Sequence, residues 1–303
     1  MAILIDENTS FLIQGITGKQ GELACKEMLA AGSRVVCGVT PGKGGESVCG
    51  VPVFNSVAEA KGIHTIDVSV VFVPPRLAKG AIVEAIEAGV PLINVITETI
   101  PVHDMAYCLA LAQQKGVRII GATSAGIYSV GKAKCGPIGS GKAKIAFTPG
   151  PIGVISRSGG MSCETSLVLS QVGLGQSTVV SVGSDVLMGT TFVELMDDFE
   201  QDTQTRGVVL FGEIGGICEE DLAQYLVRRV EAGCAYPKPI VAFVSGKFAG
   251  AIQNVSLGHA GAIIEGEKGL REGKVRALRE AGVEVVEVHH ELASAMKRRL
   301  SEL

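Results

Sequence analysis

The sequence has no tryptophan, only 4% aromatic residues, and no excess of positive charge, with 27 Lys and Arg against 31 Asp and Glu. A net charge of −4 offers no electrostatic footprint for a phosphate backbone, and no basic stretch carries the interleaved aromatic residues on which bases stack. These absences argue against a protein that binds DNA or RNA.

Long apolar runs and targeting signals are also missing. No apolar run reaches the roughly 18 residues that a membrane span requires, and the first eleven residues include Asp6 and Glu7 instead of a basic segment followed by an apolar core. The eight cysteines are scattered, with no CxxC pair and no histidine at zinc-finger spacing. We therefore expect a cytoplasmic protein with reduced thiols, no membrane contact and no metal site.

The chain is instead rich in apolar residues (47%) and has 40 glycines among its 303 residues. This length predicts two domains of about 100–150 residues each. Short β-branched runs alternate with helical patterns on both sides of a segment rich in Gly, Lys and Pro. We expect an α/β protein, with a Rossmann-like domain over residues 1–130, a linker over 131–150 and a flavodoxin-like parallel α/β domain over 151–303.

The first candidate site is the glycine-rich segment 15–21, which falls where the first strand gives way to the first helix. Glycines at such a junction let backbone N–H groups approach a phosphate closely. A dinucleotide site would place Asp or Glu at the end of the second strand, but the chain has Lys43 in a glycine-rich loop there. A lysine in place of the expected carboxylate favours a ligand with a phosphate on its ribose, either coenzyme A or NADP.

A second candidate site combines three segments of the second half. Ser158-Gly159-Gly160 ends one predicted strand and begins a helix, an arrangement that suits a phosphoryl group. Glu213 follows another strand, and a carboxylate there would fix the tautomer of a nearby imidazole. His259 lies between small residues in Gly258–Ala262, which leaves its ring open to reactants. Glu213 and His259 are therefore the catalytic candidates.

One motif points elsewhere. Residues 136–142 have the GxxxxGK spacing of a nucleotide-binding loop, but Ala143 stands where Ser or Thr would bind magnesium, and no apolar strand is predicted before it. We therefore predict that the loop binds no nucleotide. A chain that phosphorylates His259 must then draw its nucleotide from a partner.

These motifs occur together, and in this order, in the α subunit of succinyl-CoA synthetase, which the sequence resembles over nearly its whole length. The matching segments are 15–21, 38–45 with 51–55, 96–101, 156–159, 211–216 and 258–264. The resemblance implies a ligase of the tricarboxylic acid cycle with a phosphohistidine at His259, Glu213 as its partner, and Ser158, Gly159 and Gly160 around the phosphate. It assigns coenzyme A to a larger set: Thr17, Gly18, Lys19, Gln20, Lys43, Ile96, Thr97 and Glu98, with Val73 and Pro74 lining the cleft.

The resemblance further implies a hetero-oligomer in which an ATP-grasp β subunit holds ATP or GTP with magnesium. The acid is less well defined, because Cys163 replaces a tyrosine that contacts the substrate in the family, and the segment 158–162 is more similar to ATP-citrate lyase. The alternatives are therefore the small subunit of a citryl-CoA or malyl-CoA synthetase, or a CoA-binding regulatory protein without catalysis. An NADP-dependent oxidoreductase is disfavoured, because no hydride-transfer residues accompany the first glycine loop.

Overall fold

A computed structural model describes residues 2–248, 259–263 and 269–302, and they form two seven-stranded sheets flanked by helices. The predicted α/β class with two domains is thereby confirmed. Within the described ranges, no helix is both long and apolar enough to cross a membrane.

The first sheet has the strand order β3-β4-β2-β1-β5-β6-β7, with every pair parallel except the β3–β4 hairpin. Apart from β3, this is the 3-2-1-4-5-6 order of Rossmann domains. Its strands read as continuous apolar runs because helices cover both faces. The elements are β1 (Ser10–Gln14), α1 (Lys19–Ala30), β2 (Arg34–Val39), β3 (Ser47–Val48), β4 (Val51–Phe54), α2 (Val57–Lys61), β5 (Val68–Val71), α3 (Pro75–Glu87), β6 (Leu92–Val95), α4 (Val102–Lys115) and β7 (Arg118–Ile120).

The second sheet has the order β14-β13-β12-β10-β11-β8-β9. Its strands β10 to β14 are parallel and follow the 2-1-3-4-5 order of flavodoxin-like domains. The elements are β8 (Gly126–Ser129), β9 (Ala133–Cys135), α5 (Ala143–Ala146), β10 (Pro149–Ser156), α6 (Gly159–Gln171), β11 (Gln176–Ser181), α7 (Phe192–Gln201), β12 (Gly207–Gly212), α8 (Cys218–Glu231), β13 (Ile240–Val244), α9 (Arg271–Glu280), β14 (Glu284–Val285) and α10 (Glu291–Ser301).

The segment between the domains differs from the predicted linker over 131–150. Strand β8 pairs antiparallel with β11, and β9 pairs antiparallel with β8, so residues 126–135 already belong to the second sheet. The second sheet is therefore mixed, not purely parallel. These strands are short, and one of them carries Lys134, which is only 2% exposed because its ammonium group is paired with Glu27. A buried charge inside a short strand removes the apolar pattern by which strands are recognised.

The carboxyl ends of the parallel strands in the two sheets face each other across one cleft. Loops after β1, β5, β6 and β7 reach it from the first domain, and loops after β10 and β11 reach it from the second. Ligands of open α/β sheets bind outside the carboxyl ends of the strands, where the strand order reverses. The fold therefore places both sequence-predicted sites on a shared cleft.

Candidate active site

The cleft between the domains has a volume of about 540 Å³, within the range of small-molecule and cofactor sites. Among the predicted residues, it brings together Gln20, Ile96, Glu98, Ser158, Gly159, Gly160 and His259. Its remaining lining residues include Thr123, Ser124, Ala125 and Ser184, which the sequence motifs did not single out. These four lie in irregular loops, so no periodic pattern marks them.

The N-terminus of α1 forms one end of the cleft. Gly18 is its N-cap residue in an extended conformation, and no side chain caps the helix, so its first N–H groups are free for an anion. Gly15 has a φ of 81°, and a Cβ there would lie 2.7 Å from the carbonyl oxygen of Phe72. Lys19 and Gln20 begin the helix, and the Thr17 hydroxyl donates to Thr40, 3.1 Å away. The predicted glycine loop thus fits a phosphate-bearing ligand.

The loop with Lys43 is held by Asn55, whose Oδ1 accepts hydrogen bonds from the backbone of Gly42 and Gly44 at 3.0 Å each. Lys43 itself is half exposed and forms an ion pair with Glu46 at 2.9 Å. It does not line the cleft with the other predicted residues. Lys43 therefore lies on a solvated rim, with its ammonium group at the surface.

The loops after β5 and β6 form a wall of the first domain. The Thr97 hydroxyl is buried and donates to the carbonyl of Val73 at 2.8 Å, which joins the two loops. Pro74 is the N-cap residue of α3, and Ile96 and Glu98 face the cleft. Four of these five predicted positions are therefore scaffold or wall, and the fifth, Glu98, brings a carboxylate to the cleft.

The N-terminus of α6 forms the opposite side. Ser158 is the N-cap residue, and its hydroxyl accepts a hydrogen bond from the backbone N–H of Met161 at 3.4 Å. Gly159 packs against Ala125, where a Cβ would approach the alanine Cβ to 2.6 Å, whereas Gly160 has open space around it. The helix dipole and N–H groups here are suited to an anion, as the sequence predicts.

His259 and Glu213 are in direct contact at this side of the cleft. The Nδ1 atom of His259 lies 2.7 Å from Oε2 of Glu213, across 46 positions of sequence. The imidazole side chain is 39% exposed, whereas the carboxylate is only 7% exposed. A buried carboxylate that accepts the Nδ1 proton leaves Nε2 with a free lone pair. The pair is therefore arranged for nucleophilic chemistry at Nε2.

Arg157 is a further residue of this site, to which the sequence analysis assigned no role. Its side chain is almost fully buried, its Nε lies 3.5 Å from Oε1 of Glu213, and its Nη1 donates to the carbonyl of Gly215 at 2.8 Å. A Cβ added at Gly261 would lie 2.6 Å from Nη2 of this guanidinium. The available signal was a charged residue directly after a continuous apolar strand, because a buried charge needs a partner.

These contacts set the proton affinity of His259. The hydrogen bond to Glu213 raises the pKa of the imidazole above its ordinary value; burial opposes the shift, and the Arg157 guanidinium lowers the pKa as well. The charges of Glu213 and Glu98 raise it. Glu213 thus contacts both the Arg157 guanidinium, which is always charged, and the His259 imidazole, whose charge depends on pH.

Cys163 was predicted to contact the substrate, but its side chain does not line the cleft. It is 8% exposed and belongs to a hydrophobic cluster with Ile138, Ala146 and Phe147. Burial raises the pKa of its thiol. The structure therefore gives Cys163 a packing environment, because its position on α6 points it toward α5.

The loop with nucleotide-binding spacing has an internal occupant. It follows β9 and precedes α5, so a strand does come before it, contrary to the prediction. Its Ser140 hydroxyl donates to Glu27 Oε1 at 2.5 Å, and the Lys134 ammonium lies 2.8 Å from Glu27 Oε2. Burial raises the pKa of Glu27, but these hydrogen bonds outweigh burial and lower the pKa overall. A carboxylate of α1 thus stands where a phosphate would be.

Comparison with protein-family models gives two matches that correspond to the two domains. Residues 6–99 match the CoA binding domain, and residues 155–284 match the CoA-ligase model. Coenzyme A binding by the first domain is thus supported on the sequence side, and the geometry at α1 agrees with it.

Solved structures share the fold at low sequence identity. ATP citrate lyase from Methanosaeta concilii superposes with a TM-score of 0.90 at 24% identity over 99% of this chain. A dinucleotide-forming acetyl-coenzyme A synthetase from Ca. Korarchaeum cryptofilum gives a TM-score of 0.73 at 19% identity over 96% of this chain. The chain spans only 51% and 60% of those two chains, so they establish the architecture alone.

Curated relatives match over nearly their full length. The ADP-forming succinate–CoA ligase subunit alpha 1 of Archaeoglobus fulgidus is 42% identical over 99% of both chains. The corresponding subunit of Methanothermobacter thermautotrophicus is 44% identical over 94% of this chain and 92% of its own, and that of Staphylococcus epidermidis is 38% identical over 98% and 94%. The two family models and these identities together show that the chain belongs to the α-subunit family of ADP-forming succinate–CoA ligases.

Proposed function

We propose that this α subunit joins a small carboxylic acid to coenzyme A by carrying a phosphoryl group on Nε2 of His259. The observation that supports it best is the 2.7 Å contact between His259 and buried Glu213 in the cleft that also contains the N-termini of α1 and α6. Nucleotide, acid and thiol chemistry would then meet within one enclosed space.

The proposed reaction has three balanced steps. Nε2 of His259 attacks the terminal phosphorus of a nucleoside triphosphate, and the diphosphate leaves. The acid carboxylate then attacks that phosphorus, so that the imidazole leaves and an acyl phosphate forms. Finally the coenzyme A thiol attacks the acyl carbon and phosphate leaves. The phosphate is needed because a free carboxylate offers no good leaving group to a thiol.

Arg157 supplies the counter-charge for Glu213 that allows His259 to be neutral in the first step. Glu213 is nearly buried, and a buried carboxylate without a permanent counter-charge would favour a protonated imidazole beside it. An imidazolium has no lone pair for phosphorus. With the Arg157 guanidinium 3.5 Å away, Glu213 stays compensated while His259 is neutral. Arg157 is therefore a positioning residue, since it acts through Glu213.

The N-terminus of α6 would hold the phosphoryl group once it is on His259. Ser158, Gly159 and Gly160 line the same cleft as the imidazole. A dianionic group gains from the helix dipole and from backbone N–H groups at such a terminus. Thr17, Gly18, Lys19 and Gln20 at α1 would receive coenzyme A phosphates in the same manner, with Lys43 at the rim.

The nucleotide would come from an ATP-grasp β subunit, which would bind ATP or GTP together with magnesium. Within the described residues, the loop with nucleotide-binding spacing is closed around Glu27, as its contacts with Ser140 and Lys134 show. His259 is 39% exposed at its side chain and so remains open to a partner. The β subunit would bind the nucleotide and the α subunit would carry the phosphoryl group, so the two subunits would act as a hetero-oligomer.

Succinate is the acid that we propose. The curated relatives at 38–44% identity are succinate–CoA ligases, whereas the citrate-related structure is only 24% identical. The buried thiol of Cys163 gives no cleft contact that would favour citrate or malate. A CoA-binding regulatory protein without catalysis is disfavoured, because the paired and accessible His259 would have no purpose there.

His259 labelling tests the carrier. With the β subunit, Mg²⁺ and γ-labelled ATP, we expect the chain to acquire an acid-labile, base-stable phosphate, and the His259→Asn variant to remain unlabelled. His290→Asn, at an exposed histidine, serves as the matched control and should label normally. Undiminished labelling of the His259 variant would contradict the proposal.

The pH dependence of phosphorylation tests the charge arrangement. The rate should fall as the pH drops through the raised pKa of His259, because only the neutral ring attacks phosphorus. Glu213→Gln should lower that pKa, move the acid limb to lower pH and reduce the plateau rate by about 100-fold through loss of the fixed tautomer. Arg157→Met should move the limb to higher pH, and Arg157→Lys should restore it in part.

NMR titration of the His259 ring in each variant measures the same shifts without turnover. The arrangement is contradicted if Arg157→Met lowers the pKa of the ring, or if Glu213→Gln leaves it unchanged.

Lys43→Glu tests the coenzyme site at the rim. Reversing this half-exposed charge should weaken coenzyme A binding about tenfold at low salt, and less at high salt. Dephospho-coenzyme A, which lacks the ribose 3′-phosphate, should bind the variant and the parent almost equally. Calorimetry with both ligands measures the difference, and Lys115→Glu at the exposed end of α4 is the control. Equal losses for both ligands would exclude Lys43 from the 3′-phosphate.

Acid preference can be measured with the reconstituted pair of subunits. Succinate should give a kcat/KM at least about tenfold above those of malate, citrate and itaconate, a difference of roughly 1.4 kcal/mol in transition-state binding. Cys163→Ser should leave this ranking unchanged, because the side chain lies outside the cleft lining. A higher kcat/KM for citrate or malate would overturn the assignment of succinate.

A further inference from the structure

A buried ion pair lies behind the loop that presents Glu213. Glu219, in the first turn of α8, is 1% exposed, and Lys274 of α9 is fully buried. The Lys274 ammonium donates to Oε2 of Glu219 and, at 3.0 Å, to Oε2 of Glu220. Burial lowers the pKa of Lys274, but the charges and hydrogen bonds of the two glutamates outweigh burial and raise the pKa overall. The ammonium group therefore stays charged inside the protein.

Both members of this pair also bind the backbone of loop 213–216, which follows β12. The N–H of Glu213 donates to Oε1 of Glu219 at 3.1 Å. At the other end of the loop, the carbonyl of Gly216 accepts from the Lys274 ammonium at 3.0 Å. One buried pair thus fixes the first N–H and the last carbonyl of the loop that carries the carboxylate partner of the imidazole.

Loop 213–216 also packs against the segment that follows His259. Gly215 has a φ of 81°, and a Cβ there would lie 2.2 Å from the carbonyl oxygen of Gly261. Because the loop and this segment are in direct contact, a shift of the loop changes the position of the Glu213 carboxylate relative to the imidazole ring.

We propose that Glu219 is a positioning residue for the phosphorylation of His259, an inference that rests on the function proposed above. The Glu219 carboxylate, itself oriented by Lys274, accepts the N–H of Glu213 and so sets the direction in which the Glu213 side chain leaves the end of β12. That direction determines whether Oε2 of Glu213 accepts the Nδ1 proton of the ring. Glu219 is not among the residues that line the cleft, so it acts through Glu213.

The hydrogen bond from the Glu213 N–H carries this effect because it is buried. A buried N–H that loses its acceptor must find another partner, and the loop would have to shift to provide one. Residues that orient a reactive side chain from behind change activity by about 10- to 100-fold in metal sites. We expect a loss of about tenfold here, since Arg157 still holds the carbonyl of Gly215.

Two double variants separate the acceptor from the charge. Glu219→Leu with Lys274→Met removes the acceptor and replaces the pair by apolar side chains of similar volume, an exchange that proteins with buried ion pairs often tolerate. Glu219→Gln with Lys274→Met also removes both charges but keeps an amide oxygen for the Glu213 N–H. With the β subunit, Mg²⁺ and γ-labelled ATP, the apolar variant should phosphorylate His259 about tenfold more slowly at an unchanged KM for ATP. The glutamine variant should recover most of the rate.

NMR of the labelled imidazole nitrogens measures the tautomer of His259 without turnover. Above the pKa of the ring, the parent and the glutamine variant should be protonated at Nδ1. In the apolar variant the two nitrogen shifts should move toward the average of both tautomers. A parent chain that is never phosphorylated would contradict the carrier role of His259, whereas the tautomer populations would still test Glu219.

Glu220→Gln is the matched control, because Glu220 contacts the same ammonium group but, among the described residues, makes no hydrogen bond with loop 213–216. It should match the parent in labelling and in tautomer. Glu219→Asp keeps the ion pair but is one methylene shorter and cannot also reach the Glu213 N–H, so it should behave as the apolar variant does.

Circular dichroism of each variant establishes that the fold is intact. The proposal is overturned if a folded variant without the acceptor keeps the parent tautomer and rate. It is equally overturned if the glutamine variant is as slow as the apolar one, or if Glu220→Gln shows the same loss.

Discussion

The carboxylate of Glu213, buried between a guanidinium and an imidazole, is the interaction on which the rest of the site depends. Neither neighbour alone would suffice. Without Arg157, Glu213 would favour protonation of His259. Without His259, Glu213 and Arg157 would form only a structural ion pair. Arg157 Nε lies 3.5 Å from one carboxylate oxygen of Glu213, and His259 Nδ1 lies 2.7 Å from the other. These contacts offset the cost of burying the carboxylate, and the second one determines which ring nitrogen of His259 carries the proton. Burial of Glu213 is thus a functional feature.

The cleft is formed at the carboxyl ends of the parallel strands of both sheets. A parallel sheet collects loops and helix N-termini at its carboxyl edge, and each N-terminus is a ready site for one anion. Coenzyme A, an acid and a phosphoryl group together bring several anionic groups. Two sheet edges that face each other place the N-termini of α1 and α6 on opposite sides of one cleft. Strands β8 and β9 follow the first domain directly and pair with the second sheet.

Much of this architecture could be predicted from local patterns. Continuous apolar runs such as Val68–Val71 and Gly207–Gly212 identify strands covered on both faces, and glycines at strand ends identify the helix N-termini. Contacts between residues that are far apart in the sequence produce no such local pattern. Arg157, Glu213 and His259 are far apart in sequence. Arg157 and Glu213 come together because they follow the neighbouring strands β10 and β12, whereas His259 is brought to Glu213 by a loop. Strands β3 and β9 lack a recognisable apolar pattern because they have only two and three residues, with polar or charged members. The orientation of Cys163 toward α5, away from the cleft, likewise depends on packing that spacing does not encode.

The loop at 136–142 shows how a nucleotide-like spacing can serve another purpose. The loop lies between the three-residue β9 and the four-residue α5, and its Ser140 hydroxyl donates to a negative group. That group is the carboxylate of Glu27 on α1, which also accepts from the buried Lys134. An internal anion at this point stabilises the junction of the two domains without any ligand. Because Pro137 and Ser140 also line the cleft, the closed loop shapes the wall of that cleft. A nucleotide bound at this loop would have to displace Glu27 and leave Lys134 buried without its partner, which is costly. The contacts of Glu27 at the domain junction are therefore a physical reason why this loop would not bind a nucleotide.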